Sequence, residues 1–216
     1  MMGQEHIRNI ALLDGAVFSA LYEPDPDMRA AGAALGPGVR VHDTFESLVA
    51  DPFIDCLVIA SPNHLHVEQL EAALTARPIP VLVEKPLYTS ADQLGALSAL
   101  AARDPAVWVA MEYRYMPPIA TLIRDAVDVT GGIKMLTIRE HRFPFLPKVG
   151  DWNRFNRYTG GTFVEKCCHF FDLMRLLLPG EPIRVMASAG QAVNHLDEHY
   201  GGETPDILDH GYAIVE

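Results

Sequence analysis

DCLVIASPNHLH, residues 55–66, is the stretch from which the fold class follows. Asp55–Ala60 is a short, continuous apolar run, as in a strand buried on both faces of a parallel sheet. Ser61-Pro62-Asn63 breaks the run, and His64–Thr75 continues with a helical pattern. Downstream the alternation repeats: strand Val81–Glu84, helix Ser90–Ala102 with Ser90 as N-cap and Asp92 in the first turn, then strand Val107–Met111. Upstream, Phe18–Tyr22 reads as a strand and Pro26–Leu35 as a helix. Strands alternating with crossover helices imply an α/β fold with a parallel, Rossmann-type sheet.

Beyond residue 116 the pattern changes. Lys134–Phe143 alternates polar and apolar residues, the expectation being an antiparallel strand with one wet face. An aromatic and glycine-rich segment (Asp151–Gly161), an apolar helix (Thr162–Leu178), a polar loop (Asn194–His210) and strands Ile183–Ser188 and Tyr212–Val215 follow. This predicts two domains, 1–122 and 123–216, with the boundary within Met116–Ile133, where Pro117-Pro118 opens a helix and Gly131-Gly132 ends the connection. The first sheet is expected to lack its first strand, and the second domain to be an incomplete α+β open sheet. Unpaired backbone groups at a missing strand would cost ~1–3 kcal/mol each.

Composition narrows the function. Among 216 residues, 17 basic and 28 acidic side chains leave a formal charge of −11, which argues against nucleic acid or an anionic membrane as the main partner. No apolar run approaches the ~18 residues of a membrane span. Three cysteines, two of them adjacent at Cys167 and Cys168, make no disulfide framework, so a reducing, cytoplasmic setting is expected.

Four groups of residues carry chemistry. Gly3 and Glu23 have the spacing of the last glycine of a dinucleotide loop and the carboxylate that meets a ribose hydroxyl; taken alone, their plainer reading is an N-terminal glycine and a turn residue before Pro24. The carboxylate would repel a 2′-phosphate, favouring NAD(H) over NADP(H). Ser61, Pro62, Asn63 and His66 follow the apolar strand at its carboxyl end, where open parallel sheets bind ligands, although helix capping is the plainer reading of Asn63 on its own. Glu84-Lys85-Pro86 ends another strand. Lys85 is either a snorkelling lysine paired with Glu84 or a cleft lysine that orients a hydroxyl or carbonyl. In TFVEKCCHFFDLMRLLL, Thr162, Glu165, His169 and Asp172 fall within an arc of about 80° at ~100° per residue. A polar stripe on a buried helix faces a cleft or satisfied partners. Glu165 and His169, one turn apart, suit a general base with an orienting carboxylate, or a structural pair. No metal site is expected: Cys167-Cys168-His169 would diverge on a helix, and His64 and His66 lack a completing ligand.

In order and spacing, these motifs resemble the Gfo/Idh/MocA oxidoreductase family. MMGQEHI resembles the end of its glycine-rich loop, YEPDP the turn after the second strand, SPNHLH its T/S-P-N-x-x-H segment and VEKP its E-K-P motif. GGTFVEKCCHFFD resembles its G-G-x-x-x-D-x-x-x-H-x-x-D helix, with Glu165 where many members have aspartate. The resemblance implies a Rossmann domain whose first strand and first two loop glycines precede Met1. A substrate domain whose later strands follow Glu216 would complete it and often mediates oligomerisation. It implies Lys85 as the substrate-orienting lysine and His169 as acid/base, with Arg114 and Tyr115 in EYRYMPP bordering nicotinamide and substrate.

The expected function is an NAD(H)-dependent oxidoreductase acting on a secondary alcohol of a sugar or polyol, cytoplasmic and homo-oligomeric at full length. Lys85, Glu165 and His169 would be catalytic. Gly3, Glu23, Ser61, Pro62, Asn63, His66, Glu84, Lys85 and Arg114 would hold cofactor, and Lys85, Tyr115, Glu165, His169 and Asp172 substrate. The rival expectation is a catalytically silent binding or assembly protein of the same fold, or an inactive fragment; a zinc hydrolase is a distant third.

Overall fold

The computed structural model describes residues 2–216 and divides into two compact units, one reaching to Leu87 and resuming at Asp92–Ala110, the other formed by Tyr88–Ala91 and Met111–Glu216. The division precedes the expected boundary at 122, which falls inside the helix Pro117–Thr130. No helix among the described residues is long and apolar enough to cross a membrane.

The first unit alternates helix and strand: α1 (Met2–Ile10), β1 (Ala20–Tyr22), α2 (Pro26–Ala33), β2 (Arg40–His42), α3 (Phe45–Val49), β3 (Leu57–Ile59), α4 (His66–Ala76), β4 (Val81–Val83), α5 (Leu94–Ala101) and β5 (Val107–Val109). Helix α1 begins at Met2, so Gly3 lies within a helix rather than in a loop. Asp25 caps α2 by accepting from the Met28 N–H at 2.9 Å, with Pro26 preset for the first turn. Thr44 and Ser47 cap α3 reciprocally.

Strands β3, β4 and β5 form a parallel sheet in that order, Leu57 opposite Val81 and Val81 opposite Val107. Strands β1 and β2 form a second parallel pair, Ala20 opposite Arg40. In the doubly wound order a single strand separates those equivalent to β1 and β3; here the two are not paired. The core is the apolar run anticipated around residue 57: Leu57, Ile59, Val81 and Val83 pack with Leu70, Ala73 and Leu74 of α4 and with Leu100 of α5. Each of the Val, Leu and Ile side chains contributes ~1.5–3 kcal/mol by leaving water.

The second unit contains α6 (Pro117–Thr130), α7 (Asn156–Thr159), α8 (Thr162–Glu165), α9 (Cys168–Leu177), β6 (Val185–Gly190) and β7 (His210–Val215). Strands β6 and β7 are antiparallel, Val185 opposite Val215. Their connecting loop is tied down by Asp209, whose Oδ2 accepts the backbone N–H groups of Ala192, Val193 and Asn194 at 2.9, 2.6 and 2.9 Å. It is also tied by Glu198, which accepts from buried Arg154 at 2.8 Å.

Two expectations fail here. Lys134–Phe143 is not a strand: alternation makes a strand only where a neighbour supplies the ladder, and no strand pairs with this segment among the described residues. The helix Thr162–Leu178 is two helices, α8 and α9. The Thr162 carbonyl accepts from both Lys166 and Cys167 at 3.0 and 3.1 Å, and this widened turn breaks the regular ladder.

Candidate active site

In the first unit the loops after β3 and β4 are joined by His66. Its ring is fully buried at 0% exposure, with Nδ1 2.7 Å from the Pro86 carbonyl and Nε2 2.9 Å from that of Ser61. Both nitrogens face backbone, so the ring shapes the two loops and offers no nitrogen to a cofactor. Burial pushes the imidazole below its ordinary range, against the opposing pull of the two carbonyls. Ser61 Oγ donates to Gln69 at 2.6 Å, and Pro62 leads into the short turn Asn63–Leu65.

Asn63 is 6% exposed, and its Nδ2 has no hydrogen-bond partner. A buried amide donor is costly unless something accepts from it, and this one stands beyond the carboxyl end of β3, where such sheets bind nucleotides. The site therefore fits an acceptor on a dinucleotide. Glu84 is buried, with Oε1 2.7 Å from His6 Nε2 of α1 and Oε2 accepting the Lys85 N–H at 3.2 Å. Burial raises its carboxyl, but the His6 hydrogen bond and the charges of His6 and Lys85 outweigh this and hold it below the usual range. Lys85 is partly buried. Glu23 turns back on the chain, accepting the Asp25 N–H at 3.0 Å. A Cβ on Gly3 would lie 3.9 Å from Ala60 Cβ, an ordinary contact, so packing there does not demand glycine.

In the second unit the site gathers on α8, α9 and the turn Glu112–Tyr115. Gly160 and Gly161, which precede α8, have φ of 76° and 78°. A Cβ on Gly160 would stand 2.7 Å from the Thr89 carbonyl oxygen and from Val164, so neither backbone conformation nor space admits a larger residue. Beyond them Glu165 and His169 are both buried, on either side of the break between the helices. His169 Nε2 lies 3.3 Å from Glu112 Oε1, and the Tyr113 ring stacks on the imidazole at 4.2 Å and 7°. Lys166 donates to the Tyr113 hydroxyl and pairs with Glu140 at 3.1 Å.

Arg114 engages Asp172 bidentately through one guanidinium edge, Nε donating to Oδ2 at 2.6 Å and Nη2 to Oδ1. Those hydrogen bonds hold the guanidinium above its ordinary value. The residues read separately as cofactor-binding (Arg114) and substrate-binding (Asp172) thus bind each other, and the pair clamps the 112–115 turn to α9. Tyr115 is exposed. Burial pushes the Cys167 thiol up, which suits a packing residue better than a nucleophile. Sequence reasoning missed His6, Glu112, Tyr113 and Lys166. The available signal was the position of Glu112 and Tyr113 directly before Arg114 and Tyr115.

Residues 1–113 match the family model described as "Oxidoreductase family, NAD-binding Rossmann fold", and residues 124–216 match its C-terminal alpha/beta domain. The chain belongs to the Gfo/Idh/MocA oxidoreductase family. One Gfo/Idh/MocA relative, the inositol 2-dehydrogenase of Leifsonia xyli, is 32% identical over 186 residues, covering 84% of this chain and 52% of that protein. The rhizopine catabolism protein MocA of Rhizobium meliloti is 27% identical over 183 residues, covering 84% and 55%. The chain spans about half the length of the curated relatives it matches.

Among solved structures of the same fold are a putative myo-inositol dehydrogenase from Sinorhizobium meliloti (TM-score 0.80, 23% identity, all of this chain and 62% of that one). Another is a levoglucosan dehydrogenase in complex with NADH and levoglucosan (TM-score 0.76, 23% identity, all of this chain and 61% of that one).

Proposed function

We propose that the protein is an NAD(H)-dependent oxidoreductase that interconverts a secondary alcohol of a sugar or polyol and the corresponding ketone. The observation that carries this reading is His169, a buried imidazole with a carboxylate at its Nε2, on α9, the second of the two helices that follow the Gly160-Gly161 corner. Inositol 2-dehydrogenase and levoglucosan dehydrogenase among the relatives support the substrate class.

The nicotinamide of NAD, when bound, would supply the hydride acceptor for the alcohol carbon. His169 takes the hydroxyl proton, and the carboxylates around it favour its charged form. Glu165 is proposed to hold the imidazole in orientation, and Lys85 to orient the hydroxyl oxygen and favour its deprotonation. Asn63 would donate its amide to the cofactor, alongside Ser61 and Pro62. Glu23 would meet the ribose hydroxyls and disfavour a 2′-phosphate, so that NAD(H) is preferred to NADP(H). Tyr115 would border the substrate. The reading includes a cytoplasmic homo-oligomer at full length.

The test uses the protein expressed from its complete reading frame, with NAD and a panel of polyols and pyranoses, following NADH formation. Oxidation of at least one panel member is expected, with His169→Ala lowering turnover strongly and leaving NADH affinity nearly unchanged. Unaltered turnover in His169→Ala would remove the histidine from the mechanism.

A further inference from the structure

Oxidising an alcohol with NAD releases one proton per turnover: the alcohol and NAD become ketone, NADH and H⁺. If His169 receives that proton, it must return it to water before the next cycle, and its side chain is only 1% exposed. Tyr113 covers one face of the ring, and Leu173 is buried in the following turn of the same helix. The carboxylate of Glu112 connects this interior to water: Oε1 is 3.3 Å from His169 Nε2, and the side chain is 55% exposed.

The turn that carries Glu112 is held to α9 by the two residues that follow it. Arg114 chelates Asp172, and Tyr113 is fixed by stacking on His169 and by the Lys166 ammonium at its hydroxyl. Glu112 is therefore presented to the imidazole by a braced backbone rather than by a free loop.

We propose that Glu112 is the proton outlet of His169. The proton that His169 takes up at Nε2 leaves from that same nitrogen to Glu112 Oε1, Nδ1 keeping its own hydrogen throughout, and the resulting carboxylic acid gives it to solvent. No other bond changes, and the histidine returns to its neutral, accepting form. Glu112 acts through His169 and does not touch substrate. The other charged groups on the surrounding elements are Glu165, Lys166, Asp172, Arg175, Arg114 and Glu140. Asp172 is bonded to Arg114, Lys166 is paired with Glu140 and Arg175 with Glu181, and the Glu112 carboxylate lies 3.3 Å from the imidazole Nε2.

The inference rests on His169 as the base, so the tests separate the two claims. In Glu112→Gln, NMR titration of the His169 ring should show a midpoint lower than in the unaltered protein; an unchanged midpoint overturns the coupling, and this readout requires no substrate. In the complete-length protein, kcat of Glu112→Gln with NAD and the panel alcohol oxidised fastest should fall about tenfold in dilute buffer. It should recover as imidazole buffer is raised, with Glu112→Asp close to the unaltered rate. A His169→Ala protein that is dead while Glu112→Gln is normal at every buffer concentration refutes the outlet and leaves the base intact. An active His169→Ala protein refutes the base itself. Glu112 is exposed, so an unchanged melting curve for Glu112→Gln is expected, which excludes misfolding as the cause of any loss.

Discussion

Replacing His66 with alanine tests whether one buried ring holds the two loops of the first unit together. A neutral imidazole donates one hydrogen bond, so its loss leaves one backbone carbonyl, of Pro86 or Ser61, without a donor, at ~1–3 kcal/mol. A residual void of roughly 50 Å³ adds about 1 kcal/mol at ~24 cal/mol per Å³. The expected loss is about 2–4 kcal/mol, a large part of the ~5–15 kcal/mol typical of a domain. Urea unfolding at constant m measures it.

The pH dependence adds a second readout. Burial holds the folded imidazole below its ordinary value of 6.5. The unfolded chain therefore binds more protons as pH falls through 6.5, so stabilisation present above that pH is lost as pH drops towards the folded value. His66→Ala lacks this component, and the gap between the two proteins should narrow below pH 6.5. A loss below about 0.5 kcal/mol, or a gap independent of pH, would refute the bridging role.

Other perturbations have equally definite outcomes. Leu70→Ala, at a position 2% exposed between α4 and the sheet, should cost ~2–5 kcal/mol in the same assay. Gly160→Ala should lower the melting temperature, since a left-handed backbone costs ~1–2 kcal/mol for an L-residue even before the clash with the Thr89 carbonyl. Burial raises the Glu198 carboxyl, but hydrogen bonds from His195, Tyr200 and Arg154 bring it down to about 2 from its ordinary 4.5. Its depressed value means a contribution present above pH 4.5 and lost as pH falls to about 2, and near-ultraviolet circular dichroism should show Glu198→Gln flatter across that window. Asn63→Ala in the complete-length protein should weaken NADH about 5- to 30-fold by calorimetry, the equivalent of one hydrogen bond of ~1–2 kcal/mol.

The elements legible in the sequence were those in which burial and periodicity agree. Leu57–Ile59 and Val81–Val83 are buried strands drawn from continuous apolar runs, and Pro26 and Pro117 open the helices they were expected to open. Strand β2 was missed because Arg40-Val41-His42 is largely exposed and has no apolar pattern to read. Helix α3 was missed although Thr44 and Ser47 form a capping box, a local signal that five residues of helix made easy to overlook.

At the site, Glu165, His169 and Asp172 could be singled out because a polar stripe on an apolar helix is conspicuous. The break at Lys166–Cys167 was not legible, because it depends on a carbonyl shared by two donors. Nor were the pairing of Arg114 with Asp172 and the approach of Glu112 to His169, which join residues 58 and 57 positions apart and exist only once the chain has folded.

The central claim, hydride transfer from a sugar or polyol carbon with His169 as base, is tested most directly by isotope tracing. The complete-length protein would be given NAD and panel alcohols deuterated at the carbinol carbon, and the nicotinamide product analysed by mass spectrometry. The account predicts deuterium in the reduced nicotinamide for at least one alcohol, and its near-complete loss in His169→Ala. A protein that binds NADH yet transfers no deuterium from any panel alcohol, or transfers it equally well without His169, would contradict it.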